Sequence, residues 1–215
     1  RLLAGETRPM LLTAEEQTAG RGRQGKGFYS PAGTGIYLTL VVHPDLPVTD
    51  AVSVTTRASV ATARAIRRTT GQTPEIKWVN DLYLDGKKIC GILVEAISDF
   101  ETGITKSLII GVGVNLTTEQ FPEGVVGAGA LHPQGVTRTE LVAAITEELQ
   151  KECTDLRDRS YLEDYRAWSM VLGKKIVYWS GETKTEALAV GIDDHGGLIV
   201  ENEAGQRTTL QSGEI

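Results

Sequence analysis

The chain has little cysteine, no long apolar run and no opening signal segment. Cys90 and Cys153 are the two cysteines in 215 residues. They lie in a strand-like and a helix-like run, which argues against a disulfide framework and favours a reduced, cytoplasmic setting. No apolar stretch approaches the ~20 residues that span a bilayer. We therefore expect a cytoplasmic protein without membrane association.

The chain also lacks an excess of positive charge. Its 22 basic and 28 acidic residues give a formal net charge of −6. This balance argues against a general nucleic-acid binder, because that mode of binding needs a positive surface. No helix-turn-helix pattern precedes the predicted core, so nucleic acid is not an expected partner. The length allows one large domain with a small appendage.

Several familiar catalytic patterns are absent as well. The sequence has no Ser/His/Asp order with an elbow glycine motif, no His and Cys at metal-ligand spacing and no G-x-x-x-x-G-K-[ST]. These absences argue against a hydrolase triad, a His/Cys metal centre and a P-loop. His43, alone at the end of a predicted strand, is interpreted as structural or solvated and not as catalytic.

A glycine-rich basic loop occupies residues 15–28, EEQTAGRGRQGKGF. Arg21, Arg23 and Lys26 stand among glycines, with no acid between them. Glycine lets the backbone approach a ligand closely, and guanidinium groups form charge-assisted bonds to carboxylate or phosphate. The loop therefore predicts an anion-binding site.

Two other interpretations of this loop remain open. Gly20, Gly22 and Gly25 satisfy G-x-G-x-x-G, the dinucleotide-binding pattern. That motif must open a helix, yet residues 28–33 form a run of helix breakers, so the pattern fails downstream. The remaining alternative is a mobile, solvated glycine loop without a ligand.

Periodic patterns predict an α+β fold. Residues 1–5 are expected to be the end of a helix. Further helices are expected over 50–68 with Asp50 as N-cap, after the capping box Thr137-x-x-Glu140 with an apolar stripe to Leu156, and over 161–170. Strands at 10–14, 35–43, 75–79, 82–84, 87–97 and 107–114 follow one another with little helix between them. This order favours an antiparallel or mixed sheet. Four short strands between 174 and 210 predict a small C-terminal barrel.

Eight polar side chains fall in the breaks between the larger sheet's strands, and they suit the handling of anions. Four cations with one acid among them resemble a site that aligns a carboxylate with a nucleotide phosphate and neutralises their charge. The acid would hold Mg²⁺ on the phosphates. The eight residues are Gln17, Arg21, Arg23, Lys77, Asn80, Asp81, Lys88 and Asn115.

Four ordered runs, QTAGRGRQG, KWVNDLY, KKICGILVE and GVGVNL, closely resemble the biotin protein ligases. With the small barrel, the resemblance covers nearly the whole chain. It implies a class II aminoacyl-tRNA-synthetase-like mixed sheet with helices over residues 1–171, and an SH3-like β-barrel over 172–215. It also implies activation of biotin with MgATP to biotinyl-5′-AMP, followed by transfer to one lysine of a biotin carboxyl carrier domain. Some family members form homodimers through a sheet edge.

The resemblance assigns roles residue by residue. Lys88, Arg21 and Arg23 are the implied catalytic residues, whereas Lys87 is expected to point to the opposite face of its strand. Biotin and biotinyl-adenylate contacts are implied for Gln17, Arg21, Gly22, Arg23 and Lys88. Nucleotide contacts are implied for Lys77, Asn80, Asp81 and Asn115, with Asp81 also the metal ligand.

Three departures from the family pattern are visible. The family's Ser-Thr-Asn segment should precede Arg1 and is absent, so a truncated N-terminus is expected; Val79 replaces a common proline and Phe28 a common tryptophan. Two alternative functions remain: a lipoate protein ligase-like enzyme, although that family lacks the GRGRQG pattern, and a non-catalytic sensor of biotin or nucleotide.

Overall fold

The computed structural model describes residues 7–44, 46–47, 51–99, 101–180 and 183–215. The predicted helix end at 1–5 and the predicted N-cap Asp50 lie outside these residues. The described part has the predicted α+β architecture. Its elements run in the order β1 (Met10–Ala14), β2 (Gly35–Val42), β3 (Leu46–Pro47), α1 (Ala51–Thr70), β4 (Glu75–Lys77), β5 (Asp81–Leu84), β6 (Lys87–Asp99), β7 (Ile104–Asn115), α2 (Arg138–Thr154), α3 (Tyr161–Ala167), β8 (Lys175–Ser180), β9 (Thr183–Ile192), β10 (Leu198–Glu201) and β11 (Arg207–Leu210).

The larger sheet has seven strands in the order β1-β2-β7-β6-β5-β4, with the short strand β3 beside β7. All pairings between these strands are antiparallel. Isolated parallel bridges join Ile76 to Ser169 and Lys88 to Ala128 at the margins. Helices α1 and α2 pack on each other and on the sheet through β6 and β2, which buries a core around α1.

The hairpin between β5 and β6 forms at Asp85-Gly86, as predicted. Asp85 has φ 50° and Gly86 φ 73°, the left-handed geometry that tight hairpin turns require. Beyond the turn the pairing shifts by one residue, because Tyr83 pairs with Lys88 while Leu82 pairs with Cys90. This β-bulge leaves one extra residue on β6 and reverses the alternation of side chains across it.

The helices follow the sequence pattern at their starts better than at their ends. The predicted capping box is present, with Thr137 and Glu140 bonding reciprocally. Helix α2 ends at Thr154, so the predicted stripe residue Leu156 lies beyond it. Helix α3 ends three residues earlier than the predicted 170. The chain leaves the helix there because the Ile76 N–H donates to Trp168 O at 2.7 Å and the Met170 N–H to Ile76 O at 2.9 Å.

The C-terminal strands form a separate four-stranded antiparallel sheet in the order β11-β10-β9-β8, close to the predicted strand positions. This small sheet packs against the larger part of the structure, as expected. Trp78 Nε1 donates to Gly196 O at 3.0 Å, and Arg166 Nε donates to Ile192 O at 3.0 Å. The exact domain boundary after residue 171 stays a prediction.

Within the described part of the chain, no helix has both the length and the apolar composition that crossing a membrane requires.

Candidate active site

An open cavity of about 670 Å³ lies over β6 and β7 and under the glycine-rich loop. Its floor contains Gly91 of β6 and Gly111 and Gly113 of β7. Residues two apart on a strand share a face, so Gly111 and Gly113 leave a smooth strip without side chains. A glycine in a strand often marks the close approach of another group. The spacing of these glycines in the sequence could have revealed the floor, but the sequence analysis assigned them no role.

The ring of Phe28 lies across this floor. A side-chain carbon added at Gly113 would stand 2.5 Å from Phe28 Cε1, and one added at Gly91 would stand 3.3 Å from Phe28 Cε2. The aromatic side chain therefore occupies space that only glycine leaves free. The structure thus gives Phe28 an apolar place in the cavity wall.

The glycine-rich loop folds back on itself as a narrow hairpin-like turn. The Gln17 N–H donates to Ser30 O at 3.0 Å, the Phe28 N–H to Gly20 O at 2.9 Å and the Gly22 N–H to Lys26 O at 2.7 Å. A single 3-10 turn, Arg23–Gly25, forms its tip, and extended chain follows. The dinucleotide-binding interpretation therefore fails, because no long helix begins after the glycines.

Asn80 connects this loop to β6. Arg23 Nη1 donates to Asn80 Oδ1 at 3.2 Å. The amide nitrogen of Asn80 donates to Ile92 O at 2.8 Å, and the Ile92 N–H donates to Asn80 O at 3.0 Å. Asn80 is thus fixed to the strand on one side and orients the Arg23 guanidinium on the other. Among the described residues, Arg21 has no side-chain hydrogen bond or ion pair, so its guanidinium is available to a ligand.

Lys88 and Asp81 face each other inside the cavity. Lys88 Nζ lies 2.6 Å from Asp81 Oδ2, and the two side chains are 33% and 20% exposed. The other oxygen, Asp81 Oδ1, is buried and has no hydrogen-bond partner within the described part of the chain. An unpartnered buried oxygen costs free energy, which marks Asp81 as a group poised for a further ligand.

The structure brings eight of the nine predicted site residues to the cavity wall and leaves Asn115 outside it. The Asn115 side chain is 4% exposed, and its Nδ2 donates to Gly129 O at 2.9 Å. Its predicted nucleotide contact stays a prediction. The eight lining residues are Gln17, Arg21, Gly22, Arg23, Lys77, Asn80, Asp81 and Lys88.

The cavity carries net positive charge. Five basic and three acidic side chains line it, which gives +2. Two of the acids are engaged, Asp81 with Lys88 and Glu214 with Lys26 at 2.6 Å, while Glu95 is the third. Glu214 comes from the segment after β11, far along the chain from the loop, so no local sequence signal could have placed it here. The remaining positive charge suits anionic ligands.

The two cysteines are expected to be inert thiols in the folded protein. Burial raises the pKa of Cys153 to about 11 and, assisted by the charge of Asp81, raises the pKa of Cys90 far above its usual range. At pH 8 the reactive thiolate of Cys153 is therefore roughly one part in a thousand. Titration with a thiol reagent should be slow in the native protein and complete after unfolding; rapid native labelling would contradict this prediction.

The sequence profile of the Biotin/lipoate A/B protein ligase family matches residues 4–115, slightly more than half of the chain. The Biotin--[acetyl-CoA-carboxylase] ligase of Paracoccus denitrificans is 32% identical over 234 residues, which cover 100% of this chain and 93% of that protein. The chain belongs to the biotin/lipoate A/B protein ligase family. All nine predicted site residues fall within the matched region.

Other members of the ligase family extend the comparison. The profile of the Biotin protein ligase C terminal domain matches residues 172–215, which contain the small sheet. The Bifunctional ligase/repressor BirA of Bacillus spizizenii is 30% identical over 206 residues, covering 91% of this chain but 62% of that protein. The chain thus spans about three-fifths of the length of its BirA relatives.

A solved ligase structure shares the whole architecture. The biotin protein ligase of Aquifex aeolicus, determined in complex with biotin and ATP, superposes with a TM-score of 0.78 at 25% identity. The match covers 95% of this chain and 86% of that one. The ligase fold inferred from the four sequence runs is therefore confirmed.

Proposed function

We propose that this chain activates biotin with ATP to biotinyl-5′-AMP and transfers the biotinyl group to a lysine of a biotin carboxyl carrier domain. The observation that carries the proposal is the cavity, in which unpaired and paired cations surround a glycine floor beneath the arginine loop. The relatives support it, because they are named biotin ligases and one was solved with both biotin and ATP.

In the first step, a biotin carboxylate oxygen attacks the α-phosphorus of ATP and pyrophosphate leaves. Both reactants are anions, so the site must offset their repulsion and align them. Arg21 and Arg23 would hold the carboxylate and the phosphate, each charge-assisted bond contributing about 1.5–3 kcal/mol. Lys88 would leave Asp81 to contact both groups and stabilise the charge that develops between them. Gln17 and Gly22 would contact biotin, and Lys77 and Asn80 the nucleotide.

Asp81 is suited to hold Mg²⁺ on the phosphates. Its Oδ1 lacks a partner in the described structure, and Lys88 would release Oδ2 on moving to the substrate. No group of three His, Cys, Asp or Glu residues that could hold a metal occurs among the described residues. A Mg²⁺ ion would therefore depend on Asp81 and on phosphate oxygens, as Mg²⁺ commonly does. Bound there, the ion would neutralise phosphate charge.

In the second step, the acceptor lysine attacks the acyl carbon of biotinyl-5′-AMP, and AMP leaves. The cavity is open toward solvent, so a lysine on the surface of a carrier domain can enter it. The proposed partner is accordingly the biotin carboxyl carrier domain of a carboxylase, which the name of the Paracoccus relative suggests. The location is proposed to be the cytoplasm.

The decisive experiment is biotin-dependent exchange of radiolabelled pyrophosphate into ATP, with lipoate as the matched alternative substrate. We expect exchange with biotin and none with lipoate. Exchange with lipoate alone would replace the substrate by lipoate. No exchange with either, in a protein that still binds biotin, would favour the sensor.

Homodimer formation stays a prediction that light scattering across a concentration series, with and without biotin and ATP, would check.

The glycine-rich loop of residues 15–28, which carries Arg21 and Arg23, should become ordered when the adenylate is bound. Gly20, Gly25 and Gly27 provide no side chains, and the loop makes few apolar contacts that could hold it. Ligand contacts with Arg21 and Arg23 would then close it and shield the adenylate from water. Amide hydrogen exchange over residues 20–27 should slow markedly on adding biotinyl-5′-AMP. Equally slow exchange with and without ligand would contradict the prediction.

A further inference from the structure

The turn of residues 78–80 carries one residue of the candidate site and leads directly into another. Lys77 of β4 pairs with Asp81 of β5, and the turn joins the two strands between them. Its last residue, Asn80, accepts the bond from Arg23 Nη1 at 3.2 Å. A change in the orientation of this turn would therefore move Asn80 and, with it, the Arg23 guanidinium.

The carbonyl of Val79, in the middle of this turn, is held by helix α3. Tyr165 Oη donates to Val79 O at 3.1 Å, and the tyrosine is 0% exposed, so water does not compete for the bond. Burial raises the pKa of the Tyr165 phenol far above its usual value, which keeps the phenol protonated as a donor. Ser59 of α1 contributes less, because its single hydroxyl hydrogen is shared between Thr55 O at 3.0 Å and Val79 O at 3.3 Å.

The bond from Tyr165 acts on the site through the backbone. Val79 O belongs to the same planar peptide unit as the N–H of Asn80, so fixing this oxygen fixes the orientation of the peptide that enters Asn80. On its other side, Asn80 is bonded to Ile92 of β6 through both its side chain and its carbonyl. None of the described residues that line the cavity belongs to α3, so Tyr165 acts on the chemistry through the turn and not by touching a ligand.

We propose that Tyr165 is a positioning residue of the ligase site, which acts through the carbonyl of Val79. The phenol holds the turn, the turn holds Asn80, and Asn80 orients the Arg23 guanidinium toward the substrates. The catalytic consequence rests on the proposed ligase function. Sequence patterns did not indicate this role, because the helical pattern around Tyr165 predicts burial and not the distant carbonyl that its hydroxyl meets.

A double-mutant cycle tests this role. Tyr165→Phe removes the hydroxyl and keeps the ring, and Ser59 remains as a weaker donor to Val79 O, so the variant should fold. Alone, it should lower kcat/KM for ATP in biotin-dependent pyrophosphate exchange about five-fold. In an Asn80→Ala background it should cause no further loss, since residues that act as a unit are not additive. Additive losses would overturn the proposal.

Tyr161→Phe is the matched control. Tyr161 lies one turn earlier in α3 and is equally buried, but its hydroxyl lies 3.0 Å from Thr56 Oγ1 and not at the turn. Both substitutions remove one buried hydrogen bond and should cost similar stability, whereas only Tyr165→Phe should slow pyrophosphate exchange. Equal losses of activity in the two variants would reveal a general weakening of α3 and would overturn the proposal.

A second measurement does not need activity. The Ile92 N–H donates to Asn80 O at 3.0 Å, so the exchange of this amide hydrogen with solvent reports on the turn. It should be several-fold faster in Tyr165→Phe than in Tyr161→Phe, and equal rates in the two folded variants would refute the positioning role. If wild-type protein shows no biotin-dependent pyrophosphate exchange, the ligase function fails and amide exchange judges the positioning alone.

Ser59→Ala tests the same carbonyl if Tyr165→Phe does not fold. It removes the second hydroxyl near Val79 O and should lower kcat/KM for ATP about two-fold. This loss should disappear in the Asn80→Ala background. An unchanged kcat/KM for Ser59→Ala, when Tyr165→Phe does not fold, would overturn the proposal.

Discussion

Lys88→Ala is expected to slow biotinyl-5′-AMP formation by ~10² or more, the scale seen when a donor to the transition state is removed. Lys88 lines the cavity, and its ammonium lies 2.6 Å from Asp81 Oδ2. Without it, Asp81 would keep an uncompensated charge beside two anionic substrates, and the charge that grows during attack on the α-phosphorus would lose its nearest cation. Single-turnover assays of adenylate formation at saturating biotin and ATP would measure the loss.

Lys87→Ala is the matched control. Lys87 is the adjacent residue, has the same side chain and is exposed, but it lies outside the cavity wall. We expect its replacement to leave adenylate formation nearly unchanged. Small and equal effects from both substitutions, in proteins shown to be folded, would remove Lys88 from the mechanism and leave the electrostatic work to Arg21 and Arg23.

Arg57→Ala is expected to lower the free energy of unfolding by about 3 kcal/mol. The Arg57 side chain is 3% exposed and pairs with Glu152. Its Nη2 donates to Leu156 O at 2.9 Å, and its guanidinium lies 4.3 Å from the centre of the Tyr161 ring. Removing one partner of a buried pair costs about 3–5 kcal/mol. The lower end applies here, because Glu152 also pairs with Arg64.

Urea denaturation followed by circular dichroism would measure this loss. Arg207→Ala provides the control, since Arg207 and its partner Glu201 are 67% and 29% exposed and water replaces such a pair readily. We expect no clear change for Arg207→Ala. If both variants unfolded at the same urea concentration as the wild type, the bonds of Arg57 to the segment before α3 would not stabilise the packing of α1.

The elements that sequence patterns predicted best are those set by local chemistry. The turn at Asp85-Gly86 needs two residues that tolerate positive φ, and the start of α2 needs a Thr and a Glu three residues apart. Each requirement is met by residues close together in the sequence. The end of α3 was misjudged because Ser169 is drawn into pairing with Ile76, which lies far away in the chain. The two-residue strand β3 was not predicted for the same reason, since β7 alone gives it a partner.

The candidate site likewise contains residues that the sequence could predict and residues whose position depends on distant parts of the chain. The composition of the arginine loop predicted an anion site, and the motifs added Lys88 and Asp81. The placement of Asn115 outside the cavity could not be foreseen, because the residue is the last of β7 and its environment depends on a distant loop. Likewise, alternation predicts that Lys87 and Lys88 point to opposite faces, but the resemblance, not the alternation, indicated which of them faces the substrates.

The bulge at Ile89 determines which lysine of β6 faces the cavity. Before the bulge the even-numbered Lys88 lies on the cavity side, whereas after it the odd-numbered Gly91 does. If β6 paired with β5 in regular alternation through Ile89, Tyr83 would face Ile89, and Lys87 instead of Lys88 would lie on the face of Gly91. One extra residue in the strand therefore gives two chemically identical neighbours different surroundings.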